Sequence, residues 1–157
     1  MAVQKTKVTQ RLALFEGPEQ VKLRTWILLA RTFYLIQRRV MSALAKRKMT
    51  LPQFDVLATL RFSDGVTQQE LAERMLVTKG NICGLIDRLE RLGWVERRTD
   101  SSDRRINHLH LTASGKKRID SVLPEHDALV VEALRPLSMA DAKTLQKLLT
   151  SLEESNT

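Results

Sequence analysis

The chain predicts a mainly α-helical domain carrying one small β-hairpin, and three observations predict it. Capping signatures of the T-x-x-E/Q type open helices at Thr50 and Thr67. Apolar residues then recur at helical spacing through most of the 157 residues. Two short stretches, 94–99 and 106–111, are strand candidates, the second with the alternation of a half-buried strand, and they flank the polar, basic run DSSDRR. With 43% hydrophobic and 28% charged residues, residues 1–157 have material for a single globular core, which leaves no room for a second, catalytic domain.

Residues 1–17 mix polar side chains with Val8, Leu12, Leu14 and Phe15 and are expected to form a short arm against a neighbouring subunit. Pro18 suits the first turn of a long helix, where a missing amide costs nothing. From 18 to 48 the set Trp26, Leu29, Ala30, Phe33, Ile36, Val40 and Leu44 keeps helical spacing. Thr50 and Gln53 form a capping box for a helix whose expected inner face is Phe54, Leu57, Ala58 and Phe62, closed by Asp64 and Gly65.

Thr67 and Glu70 cap the next, short helix, with Leu71, Ala72 and Met75 on one face. The chain turns after Leu76 and Val77. Thr78 is then positioned for its side chain to accept a hydrogen bond from the first free amides of a second helix. Ile82, Leu85, Ile86 and Leu89 give that helix a narrow apolar stripe, and Gly93 ends it as a left-handed residue. Beyond the hairpin, Thr112 caps a helix bearing Ile119, Leu123, Leu129, Val130, Ala133 and Leu134. Pro124 falls inside it and must kink or interrupt it, since an unbroken helix would lose about 3 kcal/mol there. Pro136 stops the run. Ser138 and Asp141 open a last helix with the stripe Ala142, Leu145, Leu148, Leu149 and Leu152.

The segment 67–112 therefore reads helix, turn, helix, hairpin, the layout of a winged helix-turn-helix DNA reader. The face of its second helix opposite the apolar stripe holds Gly80, Gly84, Asp87 and Arg91, flanked by Asn81 and Arg88 on one side and Cys83 on the other. Two exposed glycines inside a helix cost about 1 kcal/mol each relative to alanine. A face without side chains lets the backbone approach another molecule, as a major groove requires. Arg104 and Arg105 at the hairpin tip suggest insertion into a second groove. Asp87 and Glu90 alternate with arginines at helical spacing and read as ion pairs along a solvated helix face.

Over residues 50–115, the runs QFDVL, TQQELAERM, LIDRLERLGWVERR, DRR and LTASG occur in the order and spacing of the multiple antibiotic resistance regulator (MarR) family, which this segment resembles. The resemblance implies that Val66 is a remnant of a small strand pairing with the wing. It implies that residues 18–48 and 113–153 form a two-fold dimer, leaving 50–112 as the DNA-binding region of one domain spanning 1–157. Thr78, Lys79 and Asn81 are then expected at bases or phosphates, with Gly80 and Gly84 allowing close approach and Arg88 beside them. Arg105 matches the arginine that the family inserts into the minor groove, Arg104 precedes it, and Asp103 is the acid that orients one of the two.

A formal charge of +8 favours a polyanionic partner. The N-terminal stretch has no apolar signal core and no run reaches bilayer length, so a cytoplasmic protein without membrane contact is expected. One cysteine excludes an internal disulfide and a cysteine-based zinc cluster. Cys83 stands where the family more often has Thr or Ser. It reads as a small half-buried residue, with oxidation as the functional alternative. His108 and His110 share one strand face without a third ligand nearby, and His126 stands alone, so no metal is expected. Phosphate loops, nucleophile elbows and zinc-protease motifs are missing, so no catalytic residue or cofactor is expected. Trp26, Arg31, Phe33, Phe54 and Arg61 are the residue types to hold a small, largely apolar anion between the dimer helices and the reading head.

The resulting expectation is a homodimeric bacterial transcriptional regulator that binds a pseudo-palindromic double-stranded operator. It is expected to repress, and to be released by a small molecule such as a phenolic anion or by a stress signal. The alternatives are a winged-helix module for protein contacts and a nonspecific architectural DNA-binding protein. Weak salt dependence would mark the first, and equal affinity for random and selected sequences the second.

Overall fold

The computed structural model describes residues 17–103 and 106–156, in two compact units, Met1–Arg39 and Val40–Thr157. The elements in chain order are α1 (Pro18–Lys46), α2 (Leu51–Phe62), β1 (Val66–Thr67), α3 (Gln68–Arg74), α4 (Lys79–Arg91), β2 (Val95–Thr99), β3 (Asn107–Leu111), α5 (Ala113–Asp120), α6 (Leu123–Leu134) and α7 (Met139–Glu154). The arm expected over 1–17 lies outside the described residues, apart from Gly17. Among the described residues no helix is long and apolar enough to cross a membrane.

The described residues of the first unit are Gly17 and the N-terminal part of α1. Trp26 is 65% exposed there, and Val21, Phe33, Tyr34 and Leu35 are also exposed. The boundary between the units falls inside α1, so Val40 and Leu44, on the same predicted stripe as Trp26, belong to the second unit and are buried in its core.

In the second unit the predicted caps form. Thr50 Oγ1 accepts from the Gln53 amide at 3.4 Å while Gln53 Oε1 accepts from the Thr50 amide at 2.9 Å. Thr67 and Glu70 repeat the exchange at 3.2 and 2.7 Å. Ser138 accepts from the Asp141 amide at 3.2 Å, opening α7. Pro124 interrupts the chain between α5 and α6, taking a place in the first turn of α6, where its missing amide leaves no bond unmade.

The inner face of α2 differs from the expected one. Phe54 and Leu57 are buried, but Phe62 is 76% exposed, and Gln53, Val56 and Leu60 are buried in its stead. A single apolar stripe serves one neighbour, whereas α2 packs on α4, α5 and β3 and so buries a wider arc.

The three strands form an antiparallel sheet in the order β1-β3-β2. Val66 pairs with Leu109, and Val95 with Leu111, which sets the register of the hairpin. β1 is the short strand that the resemblance implied. Its Val66, with Val95 and Leu109, joins Leu57, Leu71, Ile82, Ile86, Leu89 and Ile119 in one buried cluster beneath the helix-turn-helix.

Gly115 explains part of the LTASG run. A Cβ built on it would lie 1.9 Å from the Trp94 carbonyl oxygen, so only glycine lets α5 seat against the start of β2. Thr112 holds the same junction: its hydroxyl donates to the Gly93 carbonyl at 2.6 Å and accepts from the Gly115 amide at 3.0 Å.

Candidate nucleic-acid interface

The reading head is α3, a turn, and α4. The turn is made by Met75, Leu76 and Val77, and Leu76 adopts a left-handed φ of 53° while 89% exposed. That conformation costs a non-glycine residue about 1 kcal/mol or more, and no glycine stands in the turn to announce it. Thr78 has the extended backbone of an N-cap, but its side chain makes no capping bond; its carbonyl oxygen accepts from the Asn81 amide at 3.1 Å. The expected side-chain cap is thus corrected. The hydroxyl of Thr78 is not committed to the helix end, whose free amides and positive dipole end suit an anion.

Ile82, Ile86 and Leu89 are buried and fix the rotation of α4, which leaves Gly80, Asn81, Gly84, Asp87, Arg88 and Arg91 on the outward face. A Cβ added at Gly80 or Gly84 would meet nothing within 4 Å. Neither glycine is therefore required by packing among the described residues. Lys79 begins the helix. The helix ends as predicted: Gly93 has φ 67°, its amide donates to Glu90 O at 2.8 Å, and the Trp94 amide donates to Leu89 O at 3.0 Å.

The outward acids do not pair along the helix as expected. Asp87 and Glu90 instead meet Arg97 of β2. Arg97 donates to Asp87 Oδ1 at 2.7 Å, to Glu90 Oε2, and to Gln68 Oε1 at 3.1 Å, while its amide donates to Glu90 Oε1 at 3.0 Å. One guanidinium thereby joins both helices of the reading head to the base of the wing. Cys83 is half-buried, and its Sγ lies 3.5 Å from Gln68 Nε2.

At the wing, Asp100 accepts from the Ser102 and Asp103 amides at 2.7 and 3.0 Å and from the Ser102 hydroxyl at 2.5 Å. The Ser102 hydroxyl first, then these amides and His108, hold its carboxyl far below the usual carboxylate range. Arg104 and Arg105 lie outside the described residues; Asp103 precedes them in the tip, its carbonyl accepting from the Ile106 amide at 2.9 Å. His108 and His110 point to separate acids, Asp100 at 3.0 Å and Asp64 at 2.9 Å. His126 stacks on Phe54, with ring centres 4.3 Å apart.

The five residues expected around a small anion fall in both units. Trp26, Arg31 and Phe33 are exposed in the first. In the second, Phe54 is buried and Arg61 is paired with Asp120 at 2.7 Å, so neither presents an unengaged wall or cation. A different opening, an open groove of about 580 Å³, runs between Thr50 and Pro52 at the start of α2 and Asn81, Leu85 and Arg88 of α4. Sequence reading missed it because its two walls are about 30 residues apart and meet only through the helix-turn-helix.

A two-helix reading head packed on α2 and a small sheet, with an outward helix face opened by glycines and a basic hairpin, defines the winged helix-turn-helix class. The model of the MarR family matches residues 48–106. PecS, an HTH-type transcriptional regulator of Dickeya dadantii, is 30% identical over 129 residues, covering 80% of this chain and 78% of the relative. HosA, a transcriptional regulator of Escherichia coli, is 29% identical over 104 residues, or 66% of this chain and 77% of HosA. Among solved structures, a serine-for-cysteine mutant of Escherichia coli MarR complexed with operator DNA superposes with a TM-score of 0.77 at 25% identity, covering 87% of this chain and 99% of that one. AbsC, a MarR family regulator from Streptomyces coelicolor, shares the fold with a TM-score of 0.81 at 24% identity, over 90% of this chain and 96% of AbsC. The chain belongs to the MarR family of transcriptional regulators.

Proposed function

We propose that the chain is a homodimeric, sequence-specific regulator that occupies a pseudo-palindromic operator, represses by doing so, and is released by a small-molecule or stress signal. The observation that carries the DNA-reading part is the outward face of α4, where Gly80 and Gly84 have open space beside them. Glycines that no internal contact requires, on the face opposite a buried stripe, serve close approach of the helix backbone to a major groove. Thr78, Lys79 and Asn81 meet phosphates and base edges at the helix start, and Arg88 lies along the same face. Arg104 and Arg105 act at the neighbouring minor groove, one of them oriented by Asp103. No step of this function needs a catalytic residue, a metal or a cofactor, and it is carried out in the cytoplasm, where the operator lies.

Dimerisation is supported by apolar side chains that the described chain leaves uncovered. α6 and α7 bury no residue, and Val131, Leu145, Leu148, Leu149 and Leu152 are exposed. Trp26 and Phe33 add to this set in the first unit. Apolar surface on this scale is characteristic of an interface, and a two-fold dimer is the commonest closed assembly. The segments 18–48 and 113–153 are accordingly assigned to it, and 50–112 to DNA.

Release by an amphipathic acid is the finest part of the reading. Since Phe54 and Arg61 are engaged, the groove beside Arg88 is the better receptor in the second unit: it sets one cation against Met75, Val77 and Leu85. Selecting bound fragments from the source genome and titrating the selected operator with salt tests the whole proposal. Equal affinity for random DNA, or a shallow salt slope, would count against it. Salicylate at millimolar concentration should weaken the complex; no effect on affinity or melting removes the phenolic version.

A further inference from the structure

The imidazole of His108 lies between two groups that can only accept. Its Nδ1 is 2.7 Å from the Gly65 carbonyl oxygen and its Nε2 3.0 Å from Asp100 Oδ2. A carbonyl has no proton to give, and Asp100, held in its ionised form by Ser102 and the amides of the tip, has none either. A neutral imidazole carries one N–H and satisfies one of the two; the imidazolium satisfies both. The position matters because the ring bridges three places. It stands on the central strand β3, reaches the turn before β1, and holds the aspartate around which the wing tip folds.

We propose that His108 is a positioning residue for the wing tip: in its imidazolium form it pins Asp100 and the tip to the sheet, so that operator affinity falls when the ring loses its proton. This rests on the reading that the tip contacts DNA. The charges around the ring favour the pinned form. Asp100 faces it from the tip and Glu70 from α3, and with the Gly65 carbonyl they raise its pKa, the Asp100 hydrogen bond most. Opposite it on β2 is Arg98, whose guanidinium is bonded to Glu96. β1 contributes Thr67 and no ionisable group. Asp64, in the preceding turn, is taken by His110, and α2 and α5 pair Arg61 with Asp120. A raised folded-state pKa means that the pin is complete below the ordinary histidine range and is lost as pH rises through the raised value.

The test uses the full chain and its selected operator at fixed ionic strength between pH 6 and pH 8. Wild-type affinity should fall about tenfold more across this range than that of His108→Gln. His108→Gln should bind more weakly than wild type at pH 6 and converge with it at pH 8. Nitrogen NMR of the free protein should show both ring nitrogens of His108 protonated at pH 6. Asp100→Asn, which removes the acceptor charge and keeps the shape, should flatten the profile too, and it serves if His108→Gln does not fold. A neutral tautomer at pH 6, or the same pH slope in wild type and both variants, overturns the inference. If Arg105→Ala is weakened while wild type is flat with pH, only the pin fails. If Arg105→Ala binds like wild type, the wing-contact reading fails, and the positioning role fails with it.

Discussion

Arg97 on β2 donates to Asp87 on the recognition helix across 2.7 Å, and the same guanidinium also holds Glu90 and Gln68. The rotation of α4 relative to the wing is therefore set by one cation as well as by the apolar stripe beneath. The side chain is 22% exposed, so its bonds are partly shielded from water and from salt. Truncation to methionine removes the guanidinium from the Asp87 carboxylate and the Gln68 amide oxygen, while Glu90 keeps the backbone amide of residue 97. Arg97→Met should cost about 1 to 3 kcal/mol in denaturant unfolding and weaken operator binding. A double-mutant cycle with Asp87→Asn measures the shared part, and additive losses would show that the pair is not coupled.

The two kinds of glycine should respond in opposite ways. Gly115→Ala drives a methyl group into the Trp94 carbonyl and should destabilise the fold by about 3 kcal/mol, read as a lower melting temperature. Gly84→Ala meets open space inside a helix and should stabilise it by up to about 1 kcal/mol. Its DNA affinity should nevertheless fall, because the added carbon stands on the face offered to the groove. A Gly84→Ala variant that is more stable and binds equally well would remove the main support for groove insertion.

Arg105→Ala is expected to lose about 1 to 3 kcal/mol of operator binding per subunit, with dimerisation and melting nearly unchanged. Arginine is flat and weakly hydrated, so it suits a narrow groove of deep negative potential better than lysine does. Asn81→Ala should relax base preference at one operator position while sparing nonspecific binding. Footprinting of the two variants across a salt titration separates these outcomes, and half-sites should be about one DNA turn, roughly 10 bp, apart.

Leu148→Glu puts a charge into the exposed apolar stripe of α7. If that stripe is a dimer interface, light scattering at micromolar concentration should show a dimer for wild type and a monomer for the variant, with the second unit still folded by circular dichroism. A wild-type monomer would remove the dimer and the two-fold operator together.

Leu76 holds a left-handed backbone in the turn with its side chain 89% exposed. Asn tolerates that region better, so Leu76→Asn should raise stability by about 0.5 to 1 kcal/mol in a denaturant titration. A loss of stability would mean that the leucine has a packing role that its exposure hides.

The amino-acid sequence determined what depends on neighbours three to five residues away. The capping boxes at Thr50 and Thr67, the left-handed Gly93 and the break at Pro124 are constraints between a residue and nearby backbone, the alternation of β3 has a period of two residues, and these are written in local order. The outward face of α4 was legible for the same reason, since a stripe of Ile82, Ile86 and Leu89 fixes the side opposite to it. Only the tertiary structure decided which partner each charge took. Asp87 and Glu90 had arginines within one helical turn, yet they meet Arg97 because β2 brings a half-buried cation to them, and a shielded pair outweighs a solvated one. The exposure of Phe62, the clash that reserves residue 115 for glycine, and the two acceptors on His108 likewise depend on elements that are distant in the chain and adjacent only after the sheet and helices have packed.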